Sequence, residues 1–434
     1  MKLQISTTSQ KMLAATTTIR HCKRVLVPSL YKIKTCRSFS STSSSISSVV
    51  DITDATLGLT EDALAYYTTA ADFASKEMAP YAAKWDEEKI FPMDTLRAAA
   101  KLGFGTMYVS PDFGGSGLGR TEGVPVVEAL AAACPSTAAY LTIHNMVAAM
   151  LDKFGSTELK ERYLPRMATL DIFSSYCLTE PGSGSDAASL QTSAILSPDK
   201  TYYTLNGSKA FISGGGTSDI YIVMARTGEA GPGGISAFVV ENKTPGLSFG
   251  KQEKKMGWNS QPTAAVFFDN VKIPINNLIG EKGQGFKYAM IGLDGGRLSI
   301  AACSVGAANA CFNIARDYVK VRKQFGKPLS SNQTVQFSIA DMASDLYLAR
   351  SVTRSAAALY DSGAPTARTA CAMAKRVATQ KGFEVCDKAL QLHGGYGYLK
   401  DYPIERYVRD VRVHKILEGT NEIMNSIISR SLLQ

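Results

Sequence analysis

The chain has 434 residues, of which 45% are hydrophobic and 20% are charged, values that are typical of a globular protein with two or three domains. The formal net charge is +9, but residues 1–50 contain eight Lys or Arg and no Asp or Glu, which leaves 39 basic and 38 acidic residues in the remainder. Because the body of the protein is nearly neutral, we do not expect it to bind DNA or RNA.

The first 39 residues have the composition of an organelle transit peptide. They are basic, rich in Ser and Thr and free of acidic residues, and they lack the long apolar run of a secretory signal. The segment Arg37-Ser-Phe-Ser40 is similar to a mitochondrial processing site with cleavage after Phe39. We therefore expect residues 1–39 to direct the protein to the mitochondrial matrix. A chloroplast leader and a simple disordered tail are the alternatives.

Residues 52–174 are Ala-rich and have a helical pattern, which predicts an N-terminal helical domain. Within it, residues 129–151 contain no Asp, Glu, Lys or Arg and are long enough to raise the question of a membrane span. Pro135 and polar residues such as Asn145 argue against a span. We predict instead a helical hairpin that is buried in the core, since a helix that is apolar on all faces has to be covered.

Residues 175–285 have the pattern of a small β domain, a barrel or a sandwich. Runs rich in β-branched and aromatic residues are separated by Gly and Pro turns and lie at 219–223, 235–240 and 263–268. Upstream, Asn206-Gly207 separates Tyr202–Leu205 from Ser208–Ile212. Because Asn-Gly suits the positive φ angles of a type I′ turn, this segment predicts a β-hairpin.

Residues 286–434 return to long Ala-rich helical segments, which predict a C-terminal four-helix bundle. Near the end, one helix face is apolar at Ile404, Tyr407, Val408 and Val411. Gly419 interrupts the pattern, and Thr420 and Asn421 are good N-cap residues for a closing helix. Glu418 is thus placed at a helix junction, where burial would raise its pKa and helix N–H groups would lower it. It is either a tuned base or an ordinary capping carboxylate.

The cysteines and histidines do not have the spacing of a metal site. No C-x-x-C pair and no H-E-x-x-H motif occurs in the sequence. We therefore expect no catalytic metal, and we expect the six cysteines outside the leader to be buried, reduced thiols.

Two long segments carry a resemblance to a known family. Tyr176-Cys-Leu-Thr-Glu-Pro-Gly-Ser-Gly-Ser-Asp186 is rich in glycine but lacks the Gly-Lys-Ser/Thr of a phosphate loop. Residues 391–422 combine a His-Gly-Gly-Tyr-Gly loop with Glu418-Gly-Thr-Asn-Glu. Both resemble signatures of the acyl-CoA dehydrogenase family, and the resemblance extends over about residues 55–434. It implies an α+β multidomain fold of helical, middle β and helical domains.

The resemblance also implies an activity. A member of this family would be a homotetramer that uses FAD to dehydrogenate an acyl-CoA between Cα and Cβ and passes the electrons to electron-transfer flavoprotein. Glu418 would remove the α-proton while flavin N5 accepts a hydride from the β-carbon. Some relatives carry their base just before the Arg of the Asp294-Gly-Gly-Arg297 segment, but this chain has Gly296 there. The resemblance therefore leaves Glu418 as the base.

Further site residues follow from the same resemblance. Those that would contact the substrate are Ser185, Asp294, Gly295, Gly296, Arg297 and Arg430. Those that would bind FAD are Tyr176, Cys177, Leu178, Thr179, Gly184, Ser185, Phe211, Ile212, Ser213, Arg322, Asn332, Gln333, Gln391, Leu392, His393, Gly394, Gly395, Thr420, Asn421 and Glu422. Arg322 and residues 391–395 would reach the FAD of a neighbouring subunit.

The segments 253–262, 394–401 and 429–433 resemble the branch of the family that acts on short, branched acyl-CoAs. Gly295 and Gly296 are compatible with a pocket that is wide at Glu418. We therefore expect a short branched-chain substrate. The alternatives are a dehydrogenase of broader specificity for short or 2-methyl-branched acyl-CoAs, an acyl-CoA oxidase of the same fold, and a non-enzymatic scaffold protein of the same fold.

Overall fold

Six helices form the N-terminal part of the region that the computed structural model describes, residues 51–433. The predicted transit peptide, residues 1–39, lies outside the described residues. The helices are α1 (Glu61–Phe73), α2 (Ala82–Glu88), α3 (Met93–Lys101), α4 (Arg120–Ala133), α5 (Pro135–Phe154) and α6 (Thr157–Ala168). The uncharged stretch 129–151 lies in α4 and α5, which meet at Cys134 and are mostly buried. Its apolar character therefore reflects burial in the core, as predicted.

The middle of the chain forms one mixed sheet of eight strands. They are β1 (Ser174–Cys177), β2 (Ser193–Leu196), β3 (Tyr202–Ser213), β4 (Ile220–Arg226), β5 (Ile235–Glu241), β6 (Leu247–Phe249), β7 (Thr263–Pro274) and β8 (Leu278–Ile279). The strand order is β6-β7-β3-β2-β4-β5-β8, and β1 pairs in parallel with β4. The three predicted strand runs correspond to β4, β5 and β7, so the β pattern of the sequence is confirmed.

The predicted hairpin at Asn206-Gly207 is wrong. These residues lie inside β3, a single strand of 12 residues that pairs along its length with β7. The pairing register shifts between Leu205 and Gly207, so the dipeptide marks an irregularity in the ladder and not a turn. Gly207 has a φ of 143°, and a Cβ there would lie 2.7 Å from the Cα of Thr192 on the approach to β2. The close passage of that backbone explains the glycine.

Helices return after β8 and form the C-terminal bundle. They are α7 (Gly285–Val321), α8 (Gln333–Asp361), α9 (Ala367–His393), α10 (Ile404–Arg412) and α11 (Asn421–Leu433), with a two-stranded ribbon of β9 (Lys323–Gln324) and β10 (Lys327–Pro328) between α7 and α8. By length and composition α7 is apolar enough to cross a membrane, but 78% of its most apolar window is buried inside the protein. It is the central helix of the bundle.

The two helical parts share a core that fixes the site. Gly306 of α7 lies so close to α4 that a Cβ would be 2.2 Å from the carbonyl oxygen of Glu128. Leu130 of α4 and Leu298 of α7 belong to one buried cluster. The predicted apolar face of α10 is confirmed, because Ile404 and Val411 are buried in the bundle core. The six cysteines of the described region are free and buried, as predicted: Cys134, Cys177, Cys303, Cys311, Cys371 and Cys386.

Candidate active site

A cavity of about 1140 Å³ lies between the β sheet and the C-terminal helices. Twelve of the residues singled out in the sequence line it: Tyr176, Leu178, Thr179, Gly184, Ser185, Phe211, Ile212, Ser213, Arg297, Glu418, Thr420 and Arg430. Six cationic side chains and two carboxylates, Asp186 and Glu418, are among the lining residues. Arg297 and Arg409 are ion-paired with carboxylates outside the lining, Asp294, Asp86 and Glu405. The four remaining cations still outnumber the two carboxylates, and this charge balance favours an anionic ligand.

Glu418 lies on a left-handed turn between α10 and α11. Glu418 has a φ of 55° and Gly419 a φ of 89°, and the left-handed conformation costs a non-glycine residue roughly 1–2 kcal/mol. Residues held in this way are concentrated at functional sites. The turn ends at Thr420, whose Oγ1 accepts a hydrogen bond of 3.3 Å from the main-chain N–H of Ile423. Thr420 is therefore the N-cap of α11, as predicted.

The carboxylate of Glu418 combines burial with a free oxygen. Its Oε2 is buried and has no hydrogen-bond partner within residues 51–433. Burial raises the pKa of Glu418 to about 7, although the charges of Arg297, Lys375 and Arg120 act to lower it. A carboxyl group that titrates near neutrality and keeps a free oxygen in a cavity can take up a proton from a bound molecule.

Helix α7 holds this carboxylate from the other side. The Nε of Arg297 donates to the main-chain oxygen of Glu418 over 3.3 Å, and its guanidinium forms a buried ion pair with Asp294. A Cβ at Gly296 would lie 2.6 Å from Oε2 and 2.8 Å from Oε1 of Glu418. Glycine at this position therefore makes room for the carboxylate itself.

The glycine loop after β1 is fixed by a buried ion pair. The carboxylate of Glu180 accepts hydrogen bonds from the main-chain N–H groups of Gln191 (2.6 Å) and Thr192 (2.9 Å) and from the Nζ of Lys209 (2.7 Å). The main-chain oxygen of Thr179 accepts from the N–H of Ala210 on β3. These contacts hold the segment that brings Thr179 and Ser185 to the cavity. The sequence patterns did not identify Glu180 or Lys209 as residues that matter for the site.

Phe211 is held in an unusual conformation beside the cavity. It has a φ of 59° and is 71% exposed, although it lies within β3. The pairing of β3 with β7 shifts register between Lys209 and Ile212, and this bulge turns the ring outward. An exposed aromatic ring in a strained backbone conformation is suited to packing against a flat ligand.

Several predicted site residues do not line the cavity. Asp294 is engaged with Arg297, and a Cβ on Gly295 would lie 2.4 Å from the Nη2 of Arg120, so Gly295 makes room for that guanidinium. Cys177 is buried in the sheet core. The Oδ1 of Asn421 faces α9 and accepts hydrogen bonds from it, and Glu422 is exposed.

The residues predicted to reach a neighbouring subunit also lie away from this cavity. Arg322 ends α7, and its guanidinium lies 5.2 Å from the ring centre of Tyr396 in the glycine loop after α9. Two segments far apart in sequence thus come together at the surface. Within the described residues no atom comes within 4 Å of a Cβ built on Gly394 or Gly395. Of the other residues predicted there, Asn332, Gln333 and Gln391 are exposed, Leu392 is half-buried, and His393 is buried against Tyr318.

The structure brings two further cationic residues, which the sequence patterns did not identify, to the same opening as Arg430. Arg368, Arg412 and the predicted Arg430 line the cavity from three different helices and are exposed. None of the three forms an ion pair with a carboxylate of residues 51–433. Free guanidinium groups that converge on one opening suit phosphate groups. Their convergence depends on helix packing, so no sequence motif could have revealed it.

Trp258 forms part of the cavity wall and is held from behind. Its main-chain N–H donates to Asp410 over 2.6 Å, and its Nε1 donates to the Nε2 of His414 over 3.2 Å. The other ring nitrogen of His414 lies 2.8 Å from the hydroxyl of Ser304. Burial lowers the pKa of His414 to about 3, which keeps the imidazole neutral and able to accept from the indole. These hydrogen bonds fix the position of the indole in the wall.

Comparison with known proteins agrees with this geometry. Models of the acyl-CoA dehydrogenase N-terminal, middle and C-terminal domains match residues 60–171, 175–271 and 283–433. The chain is 56% identical to mitochondrial isobutyryl-CoA dehydrogenase of Bos taurus over 89% of this chain and 92% of that protein.

Solved structures have the same fold. Butyryl-CoA dehydrogenase from Megasphaera elsdenii superposes with a TM-score of 0.84 at 38% identity, covering 87% of this chain and 100% of the other. The structure of PigA with FAD and proline has a TM-score of 0.84 at 30% identity, with 87% and 98% covered. The N-terminal helical, middle β and C-terminal helical architecture expected from the sequence is confirmed. The chain belongs to the acyl-CoA dehydrogenase family.

Proposed function

We propose that the protein oxidises a short branched-chain acyl-CoA between Cα and Cβ, with isobutyryl-CoA as preferred substrate and methacrylyl-CoA as product, in valine catabolism. The observation that carries this proposal is Glu418: a buried carboxylate with a free oxygen and a pKa of about 7, at the wall of a cavity with an excess of cationic side chains. The bovine relative, which is 56% identical, is named isobutyryl-CoA dehydrogenase.

Glu418 acts as the base in this proposal. The α-C–H of a thioester is a very weak acid, so its carbonyl has to be polarised while the proton leaves. The main-chain N–H of Glu418 donates to no acceptor within residues 51–433, and it is available to a thioester oxygen. Asp186, the other carboxylate of the cavity, is exposed and hydrogen-bonded to Ser189. Glu418 is thus the better base of the two.

The cofactor in this proposal is FAD, and the residues present fit it. The hydroxyl of Tyr176 is buried without a partner in the described region, Gly184 has open space beside its Cα, and Phe211 offers an exposed ring. A bound flavin supplies the hydride acceptor, N5. Thr179 and Ser185, on the fixed glycine loop, would hydrogen-bond flavin and acyl-CoA, and Phe211-Ile212-Ser213 would lie against the ring system.

The remaining predicted cofactor residues are proposed to act across a subunit contact. The exposed segment at the end of α7 and the start of α8 includes Val321, Phe325 and Phe337, which are large and apolar. Such a surface is typical of an interface. In a homotetramer, Arg322 and the glycine loop 391–395 would then reach the FAD of a neighbouring subunit, and the space beside Gly394 and Gly395 would admit its pyrophosphate.

Electron-transfer flavoprotein is the proposed electron acceptor, and the mitochondrial matrix is the proposed location. The bovine relative is named as a mitochondrial enzyme, in agreement with the basic, acid-free leader. An acyl-CoA oxidase of the same fold would instead pass its electrons to oxygen. Reoxidation of the substrate-reduced protein in air distinguishes the two, because a dehydrogenase is reoxidised rapidly only when electron-transfer flavoprotein is present.

A panel of acyl-CoA substrates with electron-transfer flavoprotein as acceptor tests the proposed specificity. A branch at Cα places a methyl group beside the base, so the pocket has to be wide at Glu418 and short beyond Cβ. One methylene in an apolar pocket is worth roughly 1–3 kcal/mol. We expect kcat/KM to rank isobutyryl-CoA first, then 2-methylbutyryl-CoA and short straight chains, with isovaleryl-CoA and octanoyl-CoA far below. Either of the last two ranking first would overturn the assignment.

A further inference from the structure

Lys375 of α9 is a buried lysine without an ionic partner. It is completely buried, and no carboxylate of residues 51–433 lies within ion-pair distance of its Nζ. The Nζ instead donates to the main-chain oxygen of Gly419 at 2.8 Å and to the Oδ1 of Asn421 at 3.0 Å. Burial of an ammonium group away from water is costly unless its hydrogen bonds are well made. These two contacts are therefore the main compensation for its burial.

Both contacts are made with the turn that carries Glu418. Gly419 follows the base directly, and its left-handed backbone leaves its carbonyl outside any helical hydrogen bond. Asn421 is the first residue of α11. Thr379, one helical turn after Lys375, donates to the same Oδ1 at 3.1 Å. Helix α9 thus holds the turn on both sides of Thr420.

Lys375 also contributes to the charge around the base. It lowers the pKa of Glu418, second only to Arg297 among the neighbouring charges, and Glu418 in turn raises the pKa of Lys375, which burial lowers to about 7. The charged and titratable groups that face this pair come from α4, β1, α7, the segment before the turn and α11: Arg120, Tyr176, Asp294, Arg297, His414 and Glu422. Arg297 bonds to the main-chain oxygen of Glu418 itself. Lys375 differs from it because it bonds to the residues that follow Glu418, Gly419 and Asn421.

We propose that Lys375 is a positioning residue for the reaction, which holds the Glu418 turn through Gly419 and Asn421 and adds a positive charge beside the carboxylate. This inference rests on the proposed role of Glu418 as base. A positioning role can be distinguished from a packing role by the pH dependence of kcat. If Lys375 only packs, removing its charge changes the stability of the fold; if it positions the base, the pH at which Glu418 becomes active also changes.

The test compares Lys375→Met with Thr379→Val, both prepared with flavin bound. Lys375→Met keeps much of the side-chain volume but removes the donors and the charge. Thr379→Val removes one neutral hydrogen bond to the same Asn421 oxygen. For Lys375→Met we expect kcat at pH 7 to fall at least about tenfold with a much smaller change in KM, and the acidic limb of the profile of kcat against pH to move upward by about one unit. In Thr379→Val the limb stays in place.

An unmoved limb in a flavin-loaded Lys375→Met protein would overturn the inference, as would an equal shift in Thr379→Val. If Lys375→Met does not fold, Lys375→Gln is measured instead, since it is neutral but can still donate, and the same upward shift is expected. The variant Glu418→Gln distinguishes a failure of the proposed base from a failure of the role proposed for Lys375. If that variant retains turnover, the proposed base is wrong. If it is inactive while the limb of the lysine variants is unmoved, only the role of Lys375 fails.

Discussion

Replacing Gly296 by alanine should displace the carboxylate of Glu418, the proposed base, without harming the fold. The added Cβ would lie 2.6 Å from the Oε2 of Glu418, whereas ordinary contacts begin at 3.4 Å. The carboxylate therefore has to move by about 0.8 Å, because α7 is packed on both sides and cannot retreat. A displacement of about 1 Å at a reacting group can cost on the order of 10² in rate. We expect kcat with isobutyryl-CoA to fall roughly 10- to 100-fold.

The same substitution should leave stability nearly unchanged. Gly296 lies inside α7, where alanine is favoured over glycine by about 1 kcal/mol, and this gain offsets the crowding. Gly292→Ala is the matched control, one turn earlier in the same helix. Its Cβ would meet the thioether of Met150 at 2.6 Å, a flexible group that is not among the residues lining the cavity. Steady-state kinetics, flavin absorbance and thermal unfolding are compared for both variants. Equal rates for the two would refute the claim that Gly296 makes room for the base.

Two further predictions concern pH and assembly. Burial raises the pKa of Glu418 to about 7, so this carboxyl group is ionised above that pH. With Glu418 as the proposed base, the rate of flavin reduction should fall about tenfold for each pH unit below 7. A flat profile between pH 5 and 8 would contradict this. In the proposed tetramer, Arg322→Ala should lower FAD occupancy and subunit association together, because losing a charged hydrogen bond to the FAD of a neighbouring subunit costs about 1.5–3 kcal/mol. Sedimentation of apo and holo protein tests the link, and FAD loss without any change in assembly would make Arg322 a local contact.

The sequence predicted correctly those elements that are determined by neighbouring residues, such as helix faces and helix caps. The spacing of Ile404, Tyr407 and Val411 predicted α10 and its buried face, and the chemistry of Thr420 predicted the start of α11. The Asn206-Gly207 turn failed for the opposite reason. The preference of Asn-Gly for a turn was outweighed by the pairing of the whole strand β3 with β7, more than 50 residues away. That pairing accommodates the dipeptide as a bulge.

The site itself was only partly visible in the sequence. The resemblance pointed to Glu418, but the reason for Gly296 is a contact with that carboxylate 122 residues along the chain. Lys375 stands in an Ala-rich helix, where a lysine is usually solvated; its burial depends on the packing of α11 against α9. No periodicity encodes such a long-range contact.

The most direct test of the central claim is the rate of anaerobic flavin reduction by isobutyryl-CoA in Glu418→Gln. The amide keeps the shape of the side chain but cannot take up a proton, so flavin should remain bound while its reduction slows by about 10²- to 10⁴-fold. Asp186→Asn, at the other carboxylate of the cavity, is the comparison. Near-normal reduction in Glu418→Gln, or a larger loss in Asp186→Asn, would contradict the assignment of Glu418 as the base.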